Sequence, residues 1–181
     1  MSSIWATIQQ EFSDIPDLAE ATVIVLRLGV ASVLGALIGL DRERKGKEAG
    51  LRTHMMVSLG AALFILVPLR AGMALADSSR VLQGIIAGIG FLGAGAILKQ
   101  DDHGHIKGLT TAASIWVAAA VGIAAGMGRE TTAILGTLAA LFILAVMARA
   151  ERHIDPDTSA NDMREGAQGS PMSSKQEPPG R

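Results

Sequence analysis

The sequence predicts an all-α protein: a polytopic membrane bundle of five transmembrane helices preceded by a short interfacial helix. Three observations carry that expectation. Hydrophobic residues fill 49% of the 181 positions and charged ones only 18%. The charges gather in short clusters, with long uncharged stretches between them. Those stretches approach the roughly 20 apolar residues that a helix needs to cross a bilayer core of about 30 Å. Inside lipid, a helix satisfies its own backbone hydrogen bonds, which a loop or an open sheet edge cannot. The formal net charge of −1 leaves no basic excess for nucleic acid. The absence of Cys excludes disulfides, thiolate metal sites and cysteine nucleophiles.

Residues 1–20 hold no Lys or Arg, so they lack the charged start of a signal peptide. Ile4, Trp5, Ile8 and Phe12 recur at helical spacing beside Gln9, Gln10 and Glu11, the pattern of an amphipathic helix lying on the membrane surface. The first span runs from Ala21 to Leu40, interrupted once by Arg27. Four stretches follow without Asp, Glu, Lys or Arg: Thr53 to Leu69, Val81 to Leu98, Gly108 to Gly128 and Thr131 to Met147. These spans define a membrane domain over residues 21–148. The tail, 149–181, holds Pro156, Pro171, Pro178 and Pro179 among polar residues and is expected to be disordered after one extra helical turn.

Basic residues set the orientation. Arg42, Arg44, Lys45, Lys47 and Arg52 crowd the first loop, Lys99 and Lys107 the third, and Arg149 and Arg152 the start of the tail. The opposite side has only Arg70, Arg80 and Arg129. The N-terminal segment is therefore expected in the periplasm and the tail in the cytoplasm.

An offset of 58 positions lays the chain on itself without a gap: Leu34-Gly35-Ala36 on Leu92-Gly93-Ala94, Gly50-Leu51 on Gly108-Leu109, and Thr53 on Thr111. Two spans separate equivalent positions, so the first four spans form a parallel two-helix repeat about an axis along the membrane normal. The fifth stands outside it.

Glycines mark close approaches between helices. Gly35 and Gly39 form a small-xxx-small pair in the first span. In the third, Gly84, Gly88 and Gly95 share one face while Gly90 and Gly93 take the other, which predicts a helix packed on both sides at the centre of the bundle. In the fourth, Thr111, Ser114, Ala118, Gly122 and Ala125 line one narrow face, with Trp116 roughly opposite. Residues 88–93 also spell G-x-G-x-x-G, but no strand precedes them, so the dinucleotide reading fails.

Two groups of polar residues need a reason. Arg27 is a charge within a span, costing about 2.5–3.5 kcal/mol at the bilayer centre and less near its edge. It either snorkels to the outer headgroups or makes a buried polar contact. At the cytoplasmic ends, Asp41, Arg42, Glu43, Arg52 and Thr53 gather in the first inner loop, and Asp101, Thr110 and Thr111 in the second. Glu43 and Asp101 are repeat equivalents that could face each other around the pseudo-axis and hold a hydrated Mg²⁺, or they are solvated charges that enforce topology. No nucleophile–base arrangement is present, so no catalytic residue, resident metal or cofactor is expected.

The runs Leu34-Gly-Ala-Leu-Ile-Gly-Leu-Asp-Arg-Glu-Arg44, Ala49-Gly-Leu-Arg-Thr-His54, Gly88-Ile-Gly-Phe-Leu-Gly-Ala-Gly95 and Gly108-Leu-Thr-Thr-Ala-Ala-Ser-Ile-Trp116 resemble the MgtC/SapB family of bacterial inner-membrane proteins. The resemblance covers about residues 20–148. It implies a five-span domain, a link to growth in low magnesium and to virulence, and contact with the proton-translocating ATP synthase. Longer members carry a soluble C-terminal domain where this chain has a short polar tail. Two readings follow. One is a non-enzymatic inner-membrane regulator whose partners are the lipid bilayer, another membrane protein such as the ATP synthase, and a second copy of the chain in a homo-oligomer. The other is a small Mg²⁺ carrier or channel along the repeat axis.

Overall fold

In the computed structural model, residues 2–11, 13, 17–97 and 108–154 are described. Contacts divide the chain into a first unit, residues 1–142, and a second, residues 143–181. The helices are α1 (Ser2–Glu11), α2 (Leu18–Arg44), α3 (Leu51–Arg70), α4 (Ser79–Ile97), α5 (Leu109–Gly126) and α6 (Glu130–Ile154), with a 3₁₀ turn at Leu75–Ser78 ahead of α4. No strand occurs among the described residues. Five helices, α2 to α6, are long and apolar enough to cross a membrane, and the chain is a multi-pass helical membrane protein.

Local chemistry moves both ends of α2 outward from its apolar stretch. Asp17 is extended, and its Oδ1 accepts from the Glu20 N–H at 2.7 Å, so α2 starts at Leu18 rather than at Ala21. The helix continues through Asp41 to Arg44, and its 27 residues make a rod of about 40 Å, longer than the hydrocarbon is thick. The second unit is described over residues 143–154, the last turns of α6, which carry the helix about two turns past Met147, and the disorder expected of the tail concerns residues outside those described. Ile143, Val146 and Met147 are exposed there. α1 is exposed along its described length, with Ile4, Trp5 and Ile8 uncovered.

Within the first unit, α5 is the buried centre. Half of its spanning window lies inside the protein, against 11% for α4. The reason is backbone contact. A Cβ at Gly122 would collide with the Ser58 carbonyl of α3, and one at Gly126 would lie 2.5 Å from the Ala62 carbonyl oxygen. The matched pairs Ser58–Gly122 and Ala62–Gly126 advance in step, so α3 and α5 run parallel. α2 lies antiparallel across both: a Cβ at Gly35 would sit 2.6 Å from the His54 carbonyl oxygen, and one at Gly39 would sit 2.8 Å from that of Gly50.

This geometry corrects the expectation that the third span occupies the centre. Among the described residues, no atom lies within 4 Å of a Cβ built at Gly84, Gly88, Gly90 or Gly95; only Gly93 has a neighbour, the Ala112 Cβ at 3.6 Å. Glycine spacing marks where a backbone can be approached, and it does not say that a neighbour is there. α4 packs mainly on α5 and stands off from α3, leaving an apolar groove lined by Phe64 of α3 and Val81, Gly84, Ile85, Gly88 and Leu92 of α4.

The repeat is visible in the contacts. α3 and α5 both begin at the Leu after a matched glycine, Gly50 and Gly108. Gly35 of α2 meets His54, and Gly93 of α4 meets Ala112, the same pair of positions in the other copy. Gly108 has φ +94, and a Cβ there would strike the Ala96 carbonyl, so only glycine fits where α4 returns into α5.

Candidate functional site

Two polar clusters sit at opposite ends of the α2–α3–α5 core, separated by Ala61, Ala62, Ile65, Ala118 and Ala119, each at most 3% exposed. The first lies where α2 ends and α3 and α5 begin. Arg42 is 3% exposed, and its Nη2 donates to Thr111 Oγ1 at 3.4 Å. His54 is fully buried, with Nδ1 2.8 Å from the Gly50 carbonyl oxygen and Nε2 3.0 Å from Ser114 Oγ. The Ser114 hydroxyl also lies 2.8 Å from the Thr111 carbonyl oxygen. One turn further along, Ser58 donates to the Ala31 carbonyl of α2 at 2.7 Å. Together these bonds join α2, α3 and α5.

The acidic residues of that end have local duties. Glu43 Oε2 accepts from the Leu51 N–H at 2.7 Å, so a side chain from the end of α2 caps the start of α3. Gly50 leaves room for it, because a Cβ there would lie 2.6 Å from that same oxygen. Asp41 accepts from Lys45 Nζ at 2.9 Å, one helical turn away. Arg52, Thr53 and Thr110 are exposed, and Asp101 lies outside the described residues. The structure thus brings Arg42 and Thr111 together, places Glu43 on the helix start, and leaves Arg52, Thr53 and Thr110 facing outward. No group of three or more His, Asp or Glu able to hold a metal ion occurs among the described residues.

The second cluster surrounds Arg27. Of the two readings open for this residue, the structure takes the inward one. Nη1 donates to the Gly126 carbonyl at the C-terminal end of α5 at 3.3 Å, and Nε lies 3.8 Å from Glu130 Oε1. A cation at a helix C-terminus satisfies an orphan carbonyl and complements the helix dipole. Gly128 holds φ +75 to end α5, and a Cβ there would run into the Arg27 guanidinium. Alongside, Arg70 and Glu20 form an ion pair at 2.6 Å between the end of α3 and the start of α2.

His54 and Ser58 were absent from the candidate residues, although their signal was available. His54, Ser58, Ala61, Ala62 and Ile65 recur at helical spacing and form the buried face of α3.

The chain is similar to several known proteins. SrpB of Synechococcus elongatus is 42% identical over 137 residues, covering 70% of this chain and 75% of SrpB. A protein of Escherichia coli named putative magnesium transporter YhiD is 40% identical over 130 residues, covering 67% of this chain and 59% of YhiD. Protein MgtC of Salmonella typhimurium is 38% identical over 132 residues, 72% of this chain and 55% of MgtC. The chain thus spans little more than half the length of YhiD and MgtC. No solved structure gives a significant match. The MgtC family matches residues 28–153, a range that reaches into all five long helices, and the chain belongs to that family.

Proposed function

We propose that this chain is a non-enzymatic regulator of the bacterial inner membrane, serving adaptation to low magnesium and virulence by packing against other membrane proteins such as the ATP synthase. The observation that carries this reading is the α4 surface. Gly84 and Gly88 lie one turn apart beside an open apolar groove, with no described atom within 4 Å of either Cβ position. In lipid, small residues of this kind let a second helix approach closely. The family resemblance supplies the magnesium, virulence and ATP synthase links, and the distribution of basic residues supports a periplasmic N-terminus and a cytoplasmic tail.

The name of the Escherichia coli relative favours a second reading, a Mg²⁺ carrier. The apolar core weighs against it, since a divalent path needs acidic groups along its length and the buried hydrophobic core described between the two clusters is Ala, Ile, Leu and Val. Purification in mild detergent at native expression tests the first reading. A membrane complex should co-purify, and Gly88→Leu should abolish that capture while leaving the protein folded. Mg²⁺ flux into liposomes holding only this protein, lost in Glu43→Gln, would overturn the regulator reading.

A further inference from the structure

The hydrogen count around His54 closes for two protonation states rather than one. The Gly50 carbonyl can only accept, so Nδ1 must donate to it. Ser114 has one hydroxyl hydrogen and two oxygen-to-neighbour contacts, to His54 Nε2 and to the Thr111 carbonyl. If the ring is neutral, Nε2 accepts, and the Ser114 hydrogen points at the ring. If the ring is charged, Nε2 donates, and the Ser114 hydrogen turns to Thr111. Each state satisfies the ring, and they differ by one hydroxyl rotation and one charge.

The charge has consequences because of what faces it. α2 and α5 are packed against His54. From α2, Gly35 and Gly39 press on its backbone and Cβ, Arg42 reaches Thr111 on the same turn of α5 that holds Ser114, and Glu43 sits on the adjoining start of α3. From α5, the facing side chains Thr111 and Ser114 are uncharged. On α3 itself, Arg52 and Thr53 point outward. Protonation therefore brings a second cation to a buried turn that already receives Arg42, where low polarizability strengthens repulsion. The glycine contacts leave no slack for the two groups to separate while α2 stays seated.

We propose that the His54–Ser114–Thr111–Arg42 cluster is a proton-binding switch. With the ring neutral, it clamps the end of α2 onto α3 and α5; with the ring charged, the end of α2 lifts from α5. This is independent of whether the protein regulates a partner or carries an ion.

The natural absence of Cys allows two spin labels to be placed cleanly, at Arg44→Cys on the end of α2 and Thr110→Cys on the start of α5, both exposed. In nanodiscs, acidification from about pH 8 to about pH 5, the range in which histidine charges, should lengthen the distance between the labels. His54→Gln, which cannot take the charge, should hold one distance throughout. In parallel, ¹⁵N-histidine spectra of a full chain with His103, His105 and His153 replaced by Gln should show His54 passing from one protonated ring nitrogen to two. A ring that keeps one state over the range overturns the proposal, as does a distance that stays fixed while the ring protonates, or one that changes equally in His54→Gln. The spectra and the His54-containing label pair decide the matter even if His54→Gln fails to fold.

Discussion

Glu43 shows how a residue's chemistry is decided by its neighbours. As a carboxylate at the end of a helix it suits a cation, but here one of its oxygens is engaged by the Leu51 N–H. Removing that oxygen frays the start of α3. Glu43→Ala should therefore destabilise the protein by about 1 kcal/mol, the usual cost of a lost N-terminal cap. Asp41→Ala, which gives up only a partly exposed ion pair with Lys45, should cost less than about 0.5 kcal/mol. Unfolding in mixed detergent micelles measures both, and equal losses would contradict the capping role. Arg42 and Thr111 were legible in the sequence as members of one cluster, since charge at a span end and the repeat both pointed there. Their direct contact was not, because it depends on α2 crossing α5, which no spacing encodes.

At the scale of the helices, the decisive contacts are glycine against carbonyl. Gly122 and Gly88 belong to similar small-residue patterns and have opposite surroundings. Gly122→Ala forces a Cβ into the Ser58 carbonyl and should cost about 1–3 kcal/mol through overpacking. Gly88→Ala meets no described atom and should fall within about 0.5 kcal/mol of the parent. Thermal unfolding in detergent reads the difference directly. The face of α5 from Thr111 to Ala125 could be read from period alone, as could the position of Trp116 away from it, because a helix buried against its neighbours shows a clean small-residue stripe. The glycines of α4 show the same stripe without the neighbours, which is why the third span looked central. Arg27 belongs at this scale too. By holding the Gly126 carbonyl it fastens the C-terminal end of α5, so Arg27→Met should speed amide exchange from Gly126 to Arg129 several-fold while leaving the α5 start unchanged.

For the chain as a whole, the number of spans and their order followed from charge placement and the repeat from the 58-position self-match, and five long apolar helices are present. Orientation rests on the same charges. A reporter enzyme that works only in the cytoplasm should be active when fused after Arg181 and silent when fused in the loop after Arg70; the reverse result would invert every assignment of sides. The two polar clusters with an apolar layer between them also make the core a poor conduit, so liposomes holding the purified protein should retain a Mg²⁺ gradient.

The paired halves have drifted apart in an instructive way. Where the first copy has Arg42, His54 and Ser58, the second has Gln100, Ala112 and Trp116. The first hairpin brings both of its helices into the bonds that weld the scaffold, whereas the second brings only α5, through Thr111 and Ser114. Relieved of that duty, the second hairpin's outer wall is free to accumulate changes without loosening the frame. Diversification of what this protein touches should thus proceed along α4, with α2 as the fixed chassis.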